Sequence, residues 1–290
     1  MLHPHSLAAD YKNAHKASNI QPLIHRRERT MNPFSNRVRT GLLILIATCS
    51  IVASHSLHAQ DYEREKRWAD EVVPSLVVGD AVRIKAASNR EFLALYTEPA
   101  KVNPTLPAIV LVHGVGVHPD FGVIGILRAK LADLGYATLA IQMPVHGNVA
   151  TVNDYYPKLF PDAADRIAKA ADFLRAKGFA NVVLLSHSMG AWMANAYLDQ
   201  AFETTPYKAW IVMGLTGGYS WPMRRFSMPI LDVYGEQDIN PVLSAVGRRK
   251  FALKEGNGSK QVNIAGADHH YLSHENELVT VIDAFLRGLK

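Results

Sequence analysis

Val182-Val-Leu-Leu-Ser186-His187-Ser188-Met189-Gly190-Ala191 is the stretch of sequence that decides the fold. Its apolar run, Val182–Ser186, reads as a strand buried on both faces, and Met189–Ala201 reads as the helix after it. The turn between them fits the nucleophile-elbow pattern G-x-S-x-G, with Ser186 in place of the first glycine. The fit has a steric reason. Strand and helix backbones pass close together at such a turn, so the positions two residues from the nucleophile must be small. Ser186 and Gly190 both qualify. The turn lifts the Ser188 hydroxyl above the sheet and aims a helix N-terminus, with its free N–H groups, at any oxyanion that develops beside it.

Working outward from the elbow, short apolar runs alternate with amphipathic stretches. Strands are predicted at Ala108–His113, Tyr136–Gln142, Ala209–Met213, Ile230–Tyr234 and, briefly, Gln261–Ile264. Helices are predicted at Val123–Leu134, Asp162–Lys177, Pro241–Leu253 and Glu275–Leu289. Leu93–Tyr96 reads as an earlier, antiparallel strand near one edge. The alternation implies an α/β fold: a mostly parallel central sheet with helices on both faces. In such sheets ligands bind beyond the carboxyl ends of the strands.

The residues just past those ends are the candidates. The first strand after residue 100 ends in His113-Gly114-Val115-Gly116. Loops of this kind supply a second oxyanion donor, so the N–H groups of Val115 and Met189 are the expected oxyanion hole, with His113, Gly114 and Gly190 supporting it. A serine hydroxyl is a weak nucleophile and needs a base, which needs an orienting acid. Asp238, in Gly235-Glu236-Gln237-Asp238, stands where the acid is expected. Glu236 is a substitute, and Asp232 fits worse because it lies within its strand. Gly266-Ala267-Asp268-His269-His270-Tyr271 offers the base. His269 is favoured over His270 because Gly-Ala-x-His with an aromatic two residues on is the usual cadence. Asp268, adjacent to His269, points elsewhere.

Ser188, Asp238, His269 and the His113-Gly114 loop together resemble the α/β-hydrolase superfamily over roughly residues 90–290. Leu111–Asp120 (LVHGVGVHPD), Ala140–Val145 (AIQMPV) and Asp154–Ile167 (DYYPKLFPDAADRI) further resemble an exported bacterial branch of largely unknown function. The resemblance implies two-step acyl transfer through an acyl-enzyme, with no metal or organic cofactor. A carboxylic ester is the favoured substrate class. Amide, peptide or thioester cleavage would use the same three residues, and a silent hydrolase-like binding protein of the cell envelope is the non-enzymatic alternative.

The N-terminus reads differently from the body. Gly41–Ala53 (GLLILIATCSIVA) is short for a membrane span but right for the core of a signal peptide, with Arg37 and Arg39 before it and Ala59, or alternatively Ala53, as a cleavage site. The expected organisation is a leader over 1–59, with Met31 as a possible true start, and one hydrolase domain over 60–290. Export to a periplasm follows. Retention of the leader as an anchor is one alternative. Lipidation at Cys49 is another, although Thr48 suits a lipobox poorly. The formal net charge of +5 resides in this leader. The rest of the chain holds equal numbers of basic and acidic residues, so nothing marks a nucleic-acid partner. The expected partner is a small or acyl substrate, and the oligomeric state is open. Cys49, the single cysteine, allows no internal disulfide.

Other residues invite plainer readings. His113, His118, His146, His187, His269 and His270 are numerous near the expected site, but no HExxH-like spacing points to a metal. His113 is expected to hydrogen-bond the oxyanion loop, His187 to pack under the elbow and Trp192 to lie in the core. Residues 144–161, with His146, Tyr155 and Tyr156, and residues 216–226, with Tyr219, Trp221 and Met223, are candidate pocket walls, with core or surface packing as the equal alternative for their aromatics. The short span between the strands at Ala209 and Ile230 leaves no room for a large lid domain.

Overall fold

The computed structural model describes residues 60–99, 103, 105–147, 156–201, 203–220 and 227–289. The expected leader, including Met31 and Cys49, lies outside them, as do Tyr155, Trp221 and Met223.

Eight strands form one sheet: β1 (Asp80–Lys85), β2 (Glu91–Thr97), β3 (Ala108–Val112), β4 (Thr138–Ile141), β5 (Val182–His187), β6 (Tyr207–Met213), β7 (Ile230–Gln237) and β8 (Lys260–Asp268). Their spatial order is β1-β2-β4-β3-β5-β6-β7-β8. β2 pairs antiparallel with β1 and β4, and every other pairing is parallel. The helices are α1 (Tyr62–Ser75), α2 (Gly122–Asp133), α3 (Phe160–Ala176), α4 (Met189–Gln200), α5 (Asn240–Leu243), α6 (Val246–Ala252) and α7 (Glu275–Arg287). A 3-10 turn, Tyr156–Leu159, leads into α3.

Alternation along the central strands divides the core in two. Val110, Val112, Leu184 and Val212 face α3 and α4. Ile109, Leu111, Val183, Leu185 and Ile211 face the other way, onto α1, α2 and α7. All residues of β3 and β5 are buried, which is why their sequences read as unbroken apolar runs. Residues 214–229 join β6 to β7 and are too few for a lid domain.

The register explains how distant residues meet. Val112 is level with Ile141 on one side and Ser186 on the other, and His187 is level with Met213. The chain therefore leaves the sheet at His113, Gln142, Ser188 and Gly214 along one edge. On β7 and β8, Gln237 pairs with Asp268 after an irregularity near Gly235. Asp238 and His269 are the next residues on neighbouring strands.

Some elements depart from expectation. β8 runs nine residues, not four. Its buried positions are sparse, so little of it reads as apolar. The helix expected over Pro241–Leu253 is two short helices, α5 and α6, interrupted at Ser244–Ala245. α1 and β1 escaped the sequence reading. α1 buries only Glu65, Ala69 and Val72 and carries Pro74 in its last turn, so its apolar face is too thin to stand out. β1 is an edge strand with one buried residue, Ile84.

Candidate active site

Ser188 has φ 56° and ψ −122°, in the left-handed half of backbone space that a residue with a Cβ rarely adopts. Its N–H donates to the Met213 carbonyl at 3.0 Å, which ties the turn to β6. Gly190 is required by close approach: a Cβ there would lie 2.3 Å from the His113 oxygen and 2.7 Å from the Val112 oxygen. Ser186 is fully buried and its hydroxyl accepts the Trp210 indole N–H at 2.9 Å. The serine in the glycine position thus has a partner on the neighbouring strand.

Three side chains join into one hydrogen-bonded chain. Asp238 Oδ1 lies 2.6 Å from His269 Nδ1, and His269 Nε2 lies 2.9 Å from Ser188 Oγ. With Nδ1–H donating to the carboxylate, Nε2 presents its lone pair to the serine hydroxyl. Asp238 is itself held: the Ile239 N–H donates to Oδ1 at 2.8 Å and the Gly235 N–H to Oδ2 at 3.3 Å.

The loop that carries His269 is pinned from several sides. Asp268 Oδ1 accepts the N–H groups of His270 and Leu272, so this carboxylate shapes the loop. Tyr271, buried and at φ 57°, donates its hydroxyl to the Val233 carbonyl at 3.2 Å. That bond gives the aromatic two residues past His269 its physical meaning. Glu236 is exposed and accepts the Gly266 N–H, and His270 is exposed, so neither joins the chain of three. Asp232 is fully buried against Arg249, whose Nε donates to it at 2.9 Å.

His187 does more than pack under the elbow. Its Nε2–H donates to the His269 carbonyl at 2.8 Å, and the two rings lie 5.0 Å apart. Burial, with His269 nearby, pushes its pKa down to about 4, so it is neutral at neutral pH. Sequence alone could not have found this, because the partner is a backbone atom 82 residues away.

The loop after β3 lies against the serine: a Cβ on Gly114 would sit 3.3 Å from the Ser188 Cβ. His113 Nδ1–H donates to the Gly114 carbonyl at 2.8 Å, while its Nε2 accepts the Met143 N–H at 2.9 Å. Burial pushes its pKa down to about 3, which keeps the ring neutral and able to accept. The Gly114–Val115 peptide is planar and trans, so anchoring that carbonyl also sets the direction of the Val115 N–H. Met189, directly after the serine, opens α4, whose first N–H groups have no partner within the helix.

Residues 109–281 match the model of the alpha/beta hydrolase family, which is more than half of the chain. The chain belongs to the alpha/beta hydrolase family. A second model, described as a protein of unknown function (DUF3530), matches residues 42–159 of this hydrolase-family chain. None of the curated proteins matches it. Among solved structures it is similar to Est1E from Butyrivibrio proteoclasticus, with 19% identity, 71% of this chain and 96% of that chain covered, and a TM-score of 0.56. It is similar to a dienelactone hydrolase from Anabaena variabilis, with 17% identity, 72% and 96% covered, and a TM-score of 0.56. It is also similar to XC6422 from Xanthomonas campestris, described as an a/b serine hydrolase without lid, with 14% identity, 73% and 94% covered, and a TM-score of 0.54.

Among the described residues, the expected site residues Ser188, Asp238 and His269 meet. Gly114 lies against the serine, Gly190 packs against the His113 carbonyl, Met189 follows the serine directly, and Val115 is the exposed residue next to Gly114. His118 stands apart from the three: its Nδ1 accepts the Asp120 N–H, and its ring lies near Trp68 and Phe121. Trp192 is half-buried and packs edge-on against Phe160.

Proposed function

We propose that this chain is a serine hydrolase that cleaves a carboxylic ester through an acyl-enzyme. The observation that carries the reading is the chain Asp238 Oδ1–His269 Nδ1 at 2.6 Å and His269 Nε2–Ser188 Oγ at 2.9 Å. In this reading Ser188 Oγ attacks the ester carbonyl carbon as its proton passes to His269 Nε2. Asp238 keeps the imidazole in the accepting tautomer and stabilises the imidazolium that forms. The N–H groups of Val115 and Met189 donate to the oxyanion of the tetrahedral intermediate. Collapse of the intermediate breaks the ester C–O bond, and the leaving alkoxide takes the proton from His269. Water then attacks the acyl-enzyme with His269 again as base. The acid is released and Ser188 regains its proton. An ester is preferred over an amide because an alkoxide leaves more readily than an amide nitrogen. We also propose that the leader over residues 1–59 exports the protein, so that the reaction takes place outside the cytoplasm.

The test is fluorophosphonate labelling of the purified protein beside Ser188→Ala and Asp238→Asn, followed by matched ester, thioester and anilide substrates. Labelling of the parent, none of Ser188→Ala, and a loss of about 10³- to 10⁴-fold in Asp238→Asn are expected. A folded parent that does not label would sink the reading. It would favour a binding role for the same residues.

A further inference from the structure

We infer that Arg64, on the helix ahead of the sheet, is a positioning residue for the oxyanion loop, which it ties to the loop after β4. The inference rests on the serine-hydrolase reading above for its kinetic consequence, and on geometry alone for the tie itself.

The geometry is a cluster of contacts from one helical turn. Arg64 Nη1 donates to the carbonyls of His146 at 3.3 Å and Gly147 at 3.2 Å, and Nη2 reaches the Gly116 carbonyl at 3.5 Å. Each bond is long, but one planar guanidinium serves all three, and its carbon lies 4.7 Å over the Trp68 ring. One side chain therefore spans the two loops. The turn that carries it is fixed to the same place. The Asp61 N–H donates to the Val145 carbonyl at 2.8 Å, and Asp61 Oδ1 caps the Arg64 N–H at 2.9 Å. Glu65, buried beside Arg64, accepts from Arg166 Nη1 at 2.9 Å, and the same nitrogen donates to the Gln142 carbonyl at 2.8 Å. The Gln60 amide donates to Glu65 as well. Asp61 and Arg64 thus bond directly to the chain between 145 and 147, and Glu65 is linked to Gln142 through Arg166.

That convergence matters because of what Gly116 adjoins. Val115 stands between two anchored carbonyls. His113 holds the Gly114 oxygen at 2.8 Å, and Arg64 holds the Gly116 oxygen. Remove Arg64 and the far end of the loop loses its tie to α1, while the near end stays on His113. The Val115 N–H, whose direction His113 still sets through the Gly114 carbonyl, then loses its restraint on the far side, and an oxyanion donor that drifts from its place aids the transition state less.

The experiment compares the full-length protein with Arg64→Met, which keeps an unbranched apolar side chain but no donor, and Arg64→Lys, which keeps a donor. The readouts are the fluorophosphonate labelling rate, kcat and KM on a p-nitrophenyl ester, and amide hydrogen exchange over residues 113–117 and 142–147. Arg64→Met is expected to lose about 10- to 100-fold in labelling rate and kcat with KM little changed. Exchange in those two segments should accelerate and exchange in β5–β7 should not. Arg64→Lys should recover part of both. Parent-like exchange in Arg64→Met overturns the inference. So does a raised KM at unchanged kcat, which would make Arg64 a substrate contact. If the parent itself fails to label, the hydrolase reading falls, and exchange alone decides the tie. Should Arg64→Met not fold, Arg64→Lys carries the same comparison.

Discussion

His187 Nε2–H donates to the main-chain carbonyl oxygen of His269 at 2.8 Å. The residue before the proposed nucleophile therefore holds the backbone of the proposed base. Strand β5 and the loop after β8 are not neighbours in the sheet, and this bond bridges the strands between them. His187→Phe keeps a ring of similar bulk but removes the donor. It should lower kcat by about 10- to 100-fold with KM little changed, and His187→Gln should recover part of the loss by supplying an N–H. Ester-hydrolysis kinetics check this. A variant with parent kcat would show that the loop is held well enough by Tyr271 and Asp268.

His113 and His187 also predict how stability responds to acid. Burial sets their folded pKa values at about 3 and about 4, below the ordinary histidine value of 6.5. Below pH 6.5 the unfolded chain takes up protons that the folded chain refuses, so stability falls as pH falls toward 4. Each histidine can contribute a slope of about 1.4 kcal/mol per pH unit in that window. His187→Phe removes one of the two, so its unfolding free energy, measured by urea melts from pH 7 to 4.5, should decline less steeply than the parent's. Equal slopes would mean that His187 is not buried in its neutral form.

Gly214 sits where a side chain would strike the proposed base. Its φ is 57°, and a Cβ would lie 2.9 Å from His269 Cε1 and 3.1 Å from His269 Nδ1. Gly214→Ala must either shift the imidazole or move the turn after β6. A displacement of this size should cost about 100-fold in kcat/KM, and the left-handed backbone should cost a further ~1 kcal/mol in stability. Kinetics with a urea melt on the same preparation test both. An alanine variant with full activity would mean that His269 has another productive rotamer.

Asp232 and Arg249, both fully buried, form the ion pair behind the site. Burial raises the Asp232 carboxyl, and Arg249 and Gln261 pull it back. Arg249 Nη1 also donates to the carbonyls of Leu215, Gly217 and Val242, so it fastens the loop after Gly214. Asp232→Asn leaves a buried guanidinium without its counter-charge and should destabilise the fold by about 3–5 kcal/mol. Denaturant melts measure the loss directly. A change under ~1 kcal/mol would show that the carbonyl bonds to Arg249 suffice.

The fold was legible where strands are buried on both faces. Val182–Leu185 and Ala108–Val112 leave no polar gap, and the turn residues between elements are small for steric reasons that the sequence displays. Legibility failed where burial is one-sided or polar. α1 buries a carboxylate, Glu65, and its meaning lies in Arg166, 101 residues away. β8 places few apolar residues inward, so only Gln261–Ile264 in its first half could be read.

For the site, the sequence by itself determined the kinds of residue and their order: a serine on a tight strand–helix turn, an acid after β7, a histidine after β8, and a glycine loop after β3. These are local properties, set by sterics and backbone preference within a few residues. Which of the adjacent histidines faces the serine, which carboxylate faces the histidine, and what His187 and Arg64 hold were decided only by the tertiary structure. Sheet register and hydrogen bonds to backbone carbonyls 52 to 83 residues away set those choices, and a carbonyl oxygen as partner leaves no mark in the side-chain sequence.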